Sequence, residues 1–140
     1  MNLIRPAASG DSQAVFELAC DFATTFRPER AAFQTAFTHL ITQDDALLLV
    51  AESDGSVLGY LLGFEHYALF ANGRVAWVEE IMVREDRRRE GIGQQLMGRF
   101  EEWARTRGAK PAALATRRAD QFYWALGYEE SASYFRKLLG

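Results

Sequence analysis

The 140-residue chain has little cysteine, little proline and no long apolar run. Its single cysteine, Cys20, can form neither an intramolecular disulfide nor a zinc site of several thiolates, so we expect a fold that needs neither. A reducing, cytoplasmic location is the corresponding expectation. No stretch approaches the ~20 apolar residues of a membrane span, and the first residues lack a signal-peptide pattern. We therefore expect no membrane association and no export.

The chain also lacks an excess of basic charge. Sixteen Lys and Arg residues stand against nineteen Asp and Glu residues, for a net charge of −3. Binding to a nucleic acid needs a basic face that neutralises several phosphates, so this balance argues against such a partner. The hydrophobic fraction of 49% is ordinary for a globular protein, and the length fits a single domain over residues 1–140.

Helix and strand patterns alternate along the chain. Two amphipathic helices, the first with an apolar stripe from Val15 to Phe26, follow a short N-terminal strand. A charged loop and a further helix separate the central strands from the C-terminal ones. The predicted strands are 2–6, 46–51, 57–67, 74–83, 111–116 and one or two within 128–139. This interleaving predicts an α/β or α+β sheet domain.

A strand ending at Val83, an arginine-rich turn and two glycines lead into a helix. Glycine lets the backbone approach a ligand closely, and the first amides of a helix lack intrahelical partners and carry the positive end of its dipole. The segment therefore predicts an anion-binding site. The segment is not a Walker phosphate-binding loop, because no Gly-Lys-Ser/Thr follows. It is not a dinucleotide-binding loop either, because Leu96 stands where that loop has its third glycine.

The same residues carry a family resemblance. The pattern Arg88-x-x-Gly91-x-Gly93 resembles the acetyl-CoA-binding motif of the GNAT superfamily of N-acetyltransferases. The segment 122–128, FYWALGY, is similar to the family's aromatic-Tyr-x-x-Leu-Gly-aromatic segment. The order of the predicted elements over 2–139 agrees with the family as well.

The resemblance implies a fold and a cosubstrate. The fold is a mixed, mostly antiparallel α+β sheet of about six to seven strands with about four helices, and the strands at 75–83 and 112–116 splay apart. The cosubstrate is acetyl-CoA, without a metal: its pantetheine arm pairs with the splayed strand and its pyrophosphate binds the loop amides. Thr116 stands where the family often has Asn. The implied binding residues are Ile81, Met82, Val83, Arg88, Arg89, Glu90, Gly91, Ile92, Gly93, Gln94 and Thr116, and the candidates for added positive charge are Arg84, Arg87, Arg117 and Arg118.

Two adjacent glutamates and a tyrosine are the candidates for proton transfer. Acetyl transfer from a thioester needs a neutral amine, a polarised carbonyl and a proton for the departing thiolate. Strand alternation lets only one of Glu79 and Glu80 face the cleft, unless a bulge redirects both. Glu79 takes precedence as the base because it shares its face with Trp77 and related enzymes place an acid at such a position. Tyr123 matches the family's general-acid tyrosine, with Tyr134 as an alternative.

Covalent catalysis has little support in the sequence. Cys20, His39 and His66 form no triad or metal-ligand spacing, so we expect direct attack in a ternary complex. A backbone N–H near Met82 is the expected group that polarises the carbonyl.

The acceptor is expected to be the primary amine of a small molecule. The pocket for it is predicted from residues 22–27, which include Thr24 and Thr25, and from the strand at 60–67. Carboxylates at Glu65, Glu79 and Glu80 favour a cationic amine. A peptide or protein-lysine acetyltransferase and a non-catalytic acyl-CoA-binding sensor domain stay open as alternatives, and the apolar C-terminal segment is consistent with a homodimer.

Overall fold

The computed structural model describes residues 2–23, 26–117 and 119–140. Short 3₁₀ turns at Ser9–Asp11 and Glu85–Arg87 precede two of its helices. No helix in these ranges is long and apolar enough to cross a membrane. The elements are β1 (Leu3–Pro6), α1 (Ser12–Phe22), α2 (Arg30–Leu40), β2 (Ala46–Ser53), β3 (Ser56–Ala68), β4 (Gly73–Val83), α3 (Ile92–Thr106), β5 (Ala109–Leu114) and α4 (Asp120–Ala125).

The strands form one sheet in chain order. Neighbours from β1 to β4 are antiparallel, and β5 pairs parallel to β4. A parallel pair needs a crossover connection, which α3 supplies. The predicted α+β class with a mixed, mostly antiparallel sheet is confirmed. Over the described ranges the sheet has five strands, because residues 126–140 form none of the one or two that were expected.

The C-terminal segment, residues 128–140, is the main departure from the sequence-based expectation. Its apolar side chains predicted a strand, but Phe135 and Leu139 are 89% and 94% exposed. Tyr134 stacks on Trp77 of β4, with ring centroids 6.4 Å apart. Strand-forming residues make a strand only where another strand supplies hydrogen-bond partners. In residues 128–140 the contact with the sheet is instead the stacking of Tyr134 on Trp77. The homodimer stays a prediction.

Two hydrophobic clusters cover the two faces of the sheet. Side chains of α3 pack on one face, and those of α1 and α2 pack on the other. Residues 48–51 of β2 and 60–62 of β3 alternate between the clusters, as strand geometry requires. The first helix ends at Phe22, so Phe26, which continued the apolar stripe in the sequence, lies outside it and is 68% exposed.

Gly63 on β3 lies where α3 packs closely on the sheet. A Cβ at Gly63 would lie 2.6 Å from Cε1 of Phe100, whereas a Cβ at the exposed Gly98 of α3 would meet nothing within 4 Å. We expect Gly63→Ala to lower the free energy of unfolding by about 1–3 kcal/mol, because the fully buried Phe100 must move. Gly98→Ala is the matched control and should raise it by about 0.5–1 kcal/mol through helix propensity. Urea unfolding measures both, and equal effects would contradict the packing explanation.

Candidate active site

The turn between β4 and α3 presents unpaired backbone amides. Gly91 is the N-cap of α3 with a φ of +84°, and Arg89 has a φ of +66°. The first intrahelical bond runs from the Gln95 amide to the Gly91 carbonyl at 3.0 Å, so the amides of 92–94 have no partner within the helix. In the described chain no side chain caps this end of α3. The turn is therefore suited to binding an anion.

The two glycines of this turn have different roles. A Cβ on Gly91 would meet nothing within 4 Å, so space does not require glycine at this position. The left-handed backbone conformation does, because glycine adopts it without strain. A Cβ on Gly93 would lie 3.2 Å from Cζ of Phe122. Glycine at 93 therefore lets the aromatic side chain of α4 pack against the first turn of α3. This contact joins the two segments that carried the family resemblance.

The arginines of the turn are divided between ion pairs and the cleft. Arg84 pairs with Asp86 at 2.7 Å, and Arg87 pairs with Glu90 at 3.0 Å. Arg88 donates from Nε to the Val83 carbonyl at 3.2 Å, which holds the turn against the end of β4. Carboxylates thus neutralise part of the positive charge that the sequence suggested for phosphate binding. Of the other candidates, Arg117 lines the cleft and Arg118 lies outside the described residues.

β4 and β5 separate at Val78. Their pairing runs from Arg74 opposite Ala109 to Val78 opposite Leu114, and residues 79–83 continue with β3 as their paired neighbour. Backbone groups on the other edge of 79–83 are therefore available to an extended ligand. The splay was predicted between 75–83 and 112–116, and it begins within that range.

The splay opens into a cleft of about 2100 Å³. Of the predicted site residues, Glu90 does not line the cleft; it is exposed and pairs with Arg87. Thr116 lines it, and its hydroxyl accepts a hydrogen bond from the Ala119 amide at 3.1 Å, which holds the turn before α4. The predicted residues that line the cleft are Glu79, Glu80, Ile81, Met82, Val83, Arg88, Arg89, Gly91, Ile92, Gly93, Gln94, Thr116 and Tyr123.

A β-bulge in β4 sets the direction of both glutamates. Leu62 lies opposite Glu80 and Gly63 lies opposite Val78, which leaves Glu79 as the extra residue. An extra residue shifts the two-residue alternation by one, so the apolar residues before and after the bulge both face α3. Glu80 consequently faces the side of the sheet that α1 and α2 cover.

The two glutamates have different surroundings. Glu79 is exposed and accepts a hydrogen bond from Nε1 of Trp77 at 3.1 Å. Glu80 is half-buried and accepts one from the Tyr60 hydroxyl at 2.7 Å. Burial raises the pKa of Glu80 above its usual value, and the nearby Glu79 raises it as well, while the Tyr60 hydrogen bond lowers it. A carboxylate with a raised pKa is the stronger base, so these surroundings make Glu80 a candidate for the base, and the precedence of Glu79 stays a prediction.

Tyr123 is buried at the edge of the same cleft. Its ring packs edge-on against Phe122 and Tyr128, with centroids 4.9 and 5.9 Å away. Burial raises the pKa of its phenol, so the hydroxyl keeps its proton at neutral pH. The alternative, Tyr134, also lines the cleft but stacks on Trp77.

Described residues of the segments predicted to form the acceptor pocket, among them Tyr60 and Leu62 of β3, line the cleft. Phe22, Phe26 and Arg27 line it, but Thr24 and Thr25 lie outside the described residues.

Glu65 does not join Glu79 and Glu80. It is buried at 5% exposure and pairs with Arg74 at 3.0 Å and with Arg107 at 2.7 Å. Its charge therefore ties β3 to β4 and to the end of α3, and is not available to an amine.

Several features of the cleft were not predicted from the sequence. Tyr60 was expected only as part of the strand at 60–67 that lines the acceptor pocket, and its one usable signal was that a tyrosine within an apolar strand needs a partner for its buried hydroxyl. Glu129 and Glu130 gave none, since they were assigned to a strand. Within the described ranges, no group of three or more His, Cys, Asp and Glu side chains is placed to hold a metal ion. The carboxylates that line the cleft are Asp21, Glu29, Glu79, Glu80, Asp120, Glu129 and Glu130.

Comparison with known proteins gives consistent matches. The model of the acetyltransferase (GNAT) family matches residues 12–128. An aminoalkylphosphonate N-acetyltransferase of Salmonella typhimurium is 28% identical over 97% of this chain and 90% of its own length. An aminoglycoside N(6')-acetyltransferase type 1 of Klebsiella aerogenes is 29% identical over 98% of this chain and 97% of its own.

A solved structure from Bacillus halodurans, described as a transcriptional regulator, has a similar fold. It superposes with a TM-score of 0.92 and covers 99% of this chain and 100% of its own, at 24% identity. An identity this low shows the fold alone.

Proposed function

Because the chain belongs to the acetyltransferase (GNAT) family, and is thus an acetyl-CoA-dependent N-acetyltransferase, we propose that it acetylates the primary amine of a small, cationic molecule. Attack by the amine is direct, in a ternary complex. One observation carries the proposal: the bulge brings the carboxylates of Glu79 and Glu80 into the cleft where β4 leaves β5.

The residues around the splay fit the cosubstrate. When bound, acetyl-CoA supplies the reactive thioester. The amides of 92–94 at the α3 N-terminus would hold its pyrophosphate, and the open edge of β4 from Ile81 to Val83 would hold the pantetheine arm. A backbone N–H near Met82 would polarise the carbonyl.

Glu80 would act as the general base toward the amine, and Tyr123 as the general acid toward the departing sulfur. An alkyl amine with a pKa near ~10.4 is mostly protonated at neutral pH, so Glu80 takes a proton from it before attack. The hydroxyl of Tyr60 holds the Glu80 carboxylate by a hydrogen bond, and the raised pKa of Glu80 suits proton removal from the amine. Tyr123, whose pKa is raised by burial, holds a proton that it can give to the departing sulfur.

Cleft charge supports a cationic acceptor. The two relatives named above act on two acceptor classes, aminoglycosides and aminoalkylphosphonates. An aminoglycoside carries several positive amines, whereas an aminoalkylphosphonate joins its amine to an anion. Among the described residues, seven carboxylates and six arginines line the cleft, and three of these arginines, Arg87, Arg88 and Arg89, belong to the β4–α3 turn. Glu79 and Glu80 are adjacent on β4 where it leaves β5, so the proposed place of acetyl transfer is acidic. Carboxylates attract a polyamine and repel a phosphonate, so the first class fits better.

An amine panel tests this function. We expect acetyl-CoA to release its thiol in the presence of an aminoglycoside or a linear diamine, with mass detection of a singly acetylated product. An aminoalkylphosphonate should react at least about tenfold more slowly, because the carboxylates repel it.

Two other results would contradict the proposal. Acetylation of a lysine peptide alone would favour a protein-lysine acetyltransferase. Tight acetyl-CoA binding without turnover of any amine would favour a non-catalytic sensor domain.

A further inference from the structure

Tyr60 has a buried hydroxyl that packing does not explain. The residue lies in the middle of β3 within the cluster formed by α1 and α2, and it is 1% exposed. A phenylalanine would fill nearly the same space. A hydroxyl buried at such a position costs free energy unless it is hydrogen-bonded. Its partner is Oε1 of Glu80, 2.7 Å away.

The bulge makes this hydrogen bond available. Tyr60 lies opposite Met82 in the register, and Glu80 lies opposite Leu62, so the bond runs diagonally between β3 and β4. Without the extra residue at Glu79, the alternation would point Glu80 to the α3 face, away from Tyr60. The bulge, the tyrosine and the glutamate therefore form one unit.

Building on the proposed function, we propose that Tyr60 is a positioning residue that holds the Glu80 carboxylate for proton removal from the acceptor amine. Its hydroxyl donates to Oε1 and orients the carboxylate, which leaves Oε2 to take the proton. Tyr60 acts through Glu80 and does not itself exchange a proton with the acceptor.

The groups around Tyr60 and Glu80 predict how loss of their hydrogen bond would change the pH dependence of kcat. The titratable groups that act on Glu80 are Tyr60 from β3 and Glu79 from its own strand, and Cys20 of α1 acts on Tyr60. Burial raises the pKa of Glu80, and the Tyr60 hydrogen bond opposes that rise. Removing the hydroxyl therefore raises the Glu80 pKa further, and a smaller fraction of Glu80 is ionised at a given pH.

The test is the pH profile of kcat for Tyr60→Phe, with an aminoglycoside as acceptor and both substrates saturating. We expect the midpoint of the acidic limb to move up by about one pH unit, as the loss of a hydrogen bond to a carboxylate implies. At pH values below the wild-type midpoint kcat should fall by about tenfold, and it should approach the wild-type value at high pH. A purely structural role would lower kcat by the same factor at every pH.

A second measurement uses Glu80→Gln as the background. Once the base is absent, adding Tyr60→Phe should change kcat by less than about twofold, because the two residues act as a unit. Glu80→Asp should also lower kcat, since the shorter carboxylate no longer reaches the hydroxyl. Acetyl-CoA binding by each variant shows that it is folded.

Tyr128→Phe is the matched control. It removes a partly buried tyrosine hydrogen bond of the same 2.7 Å length, to Glu101, and should leave the midpoint in place. The inference is overturned if the wild type turns over while Tyr60→Phe keeps the wild-type midpoint, or if Tyr60→Phe costs the same factor in both backgrounds. If the wild type acetylates no amine, the proposed function fails and this inference fails with it.

Discussion

Replacing Glu80 by glutamine should lower kcat for amine acetylation by about 10²–10⁴-fold, because the amide cannot take the proton of the ammonium group. The dissociation constant of acetyl-CoA should stay unchanged, since Glu80 faces the side of the sheet opposite α3. Steady-state kinetics and isothermal titration calorimetry measure the two quantities.

Glu79→Gln is the control for this variant. Its carboxylate is exposed and bonded to Trp77, so we expect a decrease in kcat of less than about tenfold. A larger loss in Glu79→Gln than in Glu80→Gln would support the order that the sequence suggested.

The free energy of unfolding of Glu80→Gln shows whether its lower activity comes from loss of the base or from misfolding. Burial raises the pKa of Glu80 in the folded protein, so its charged form opposes folding, increasingly so as the pH rises through that pKa. At pH 8 the free energy of unfolding of Glu80→Gln should therefore equal or exceed that of the wild type. A marked decrease would assign the lost activity to misfolding.

Replacing Gly91 by aspartate should raise the dissociation constant of acetyl-CoA by about 100-fold, because it puts a negative charge at the amides that receive the pyrophosphate. The position has a φ of +84°, which Asp and Asn tolerate better than other side chains, and a Cβ there meets nothing within 4 Å. We therefore expect α3 to form normally in this variant.

Gly91→Asn is the neutral, nearly isosteric control. It carries the same backbone strain without the charge, so we expect it to weaken acetyl-CoA binding by less than about tenfold. The difference between the two variants should shrink as salt is added, because the repulsion is screened. Equal affinities for Asp and Asn at low salt would show that the turn does not bind the pyrophosphate.

The bulge in β4 shows the limit of what the sequence alone can predict. Ala76 and Val78 occupy one parity of the strand and Ile81 and Val83 the other, and the two glutamates stand between them. This pattern indicated that a bulge was an option. Its position depends on which residue of β3 lies opposite each residue of β4, and the register places Glu80 rather than Glu79 beside Tyr60.

Glu65 shows the same limit for charges. In the sequence it is a carboxylate on the strand expected to line the acceptor pocket. Its partners are Arg74, from the next strand, and Arg107, which is 42 residues away and lies just after α3. Only the packed sheet and helix bring these cations to it, so composition and spacing could not remove it from the set of acceptor residues.

The sequence by itself determined that helices and a sheet combine in one fold, the order of the elements as far as α4, and the glycine at which α3 begins, because periodicity, glycine placement and helix ends are local properties of the chain. Only the tertiary structure decided which of Glu79 and Glu80 is half-buried, where β4 leaves β5, and that residues 128–140 stack through Tyr134 and form no strand. Those outcomes depend on register and on partners distant in the chain. Burial, and with it the pKa of a carboxyl group, is set by those partners.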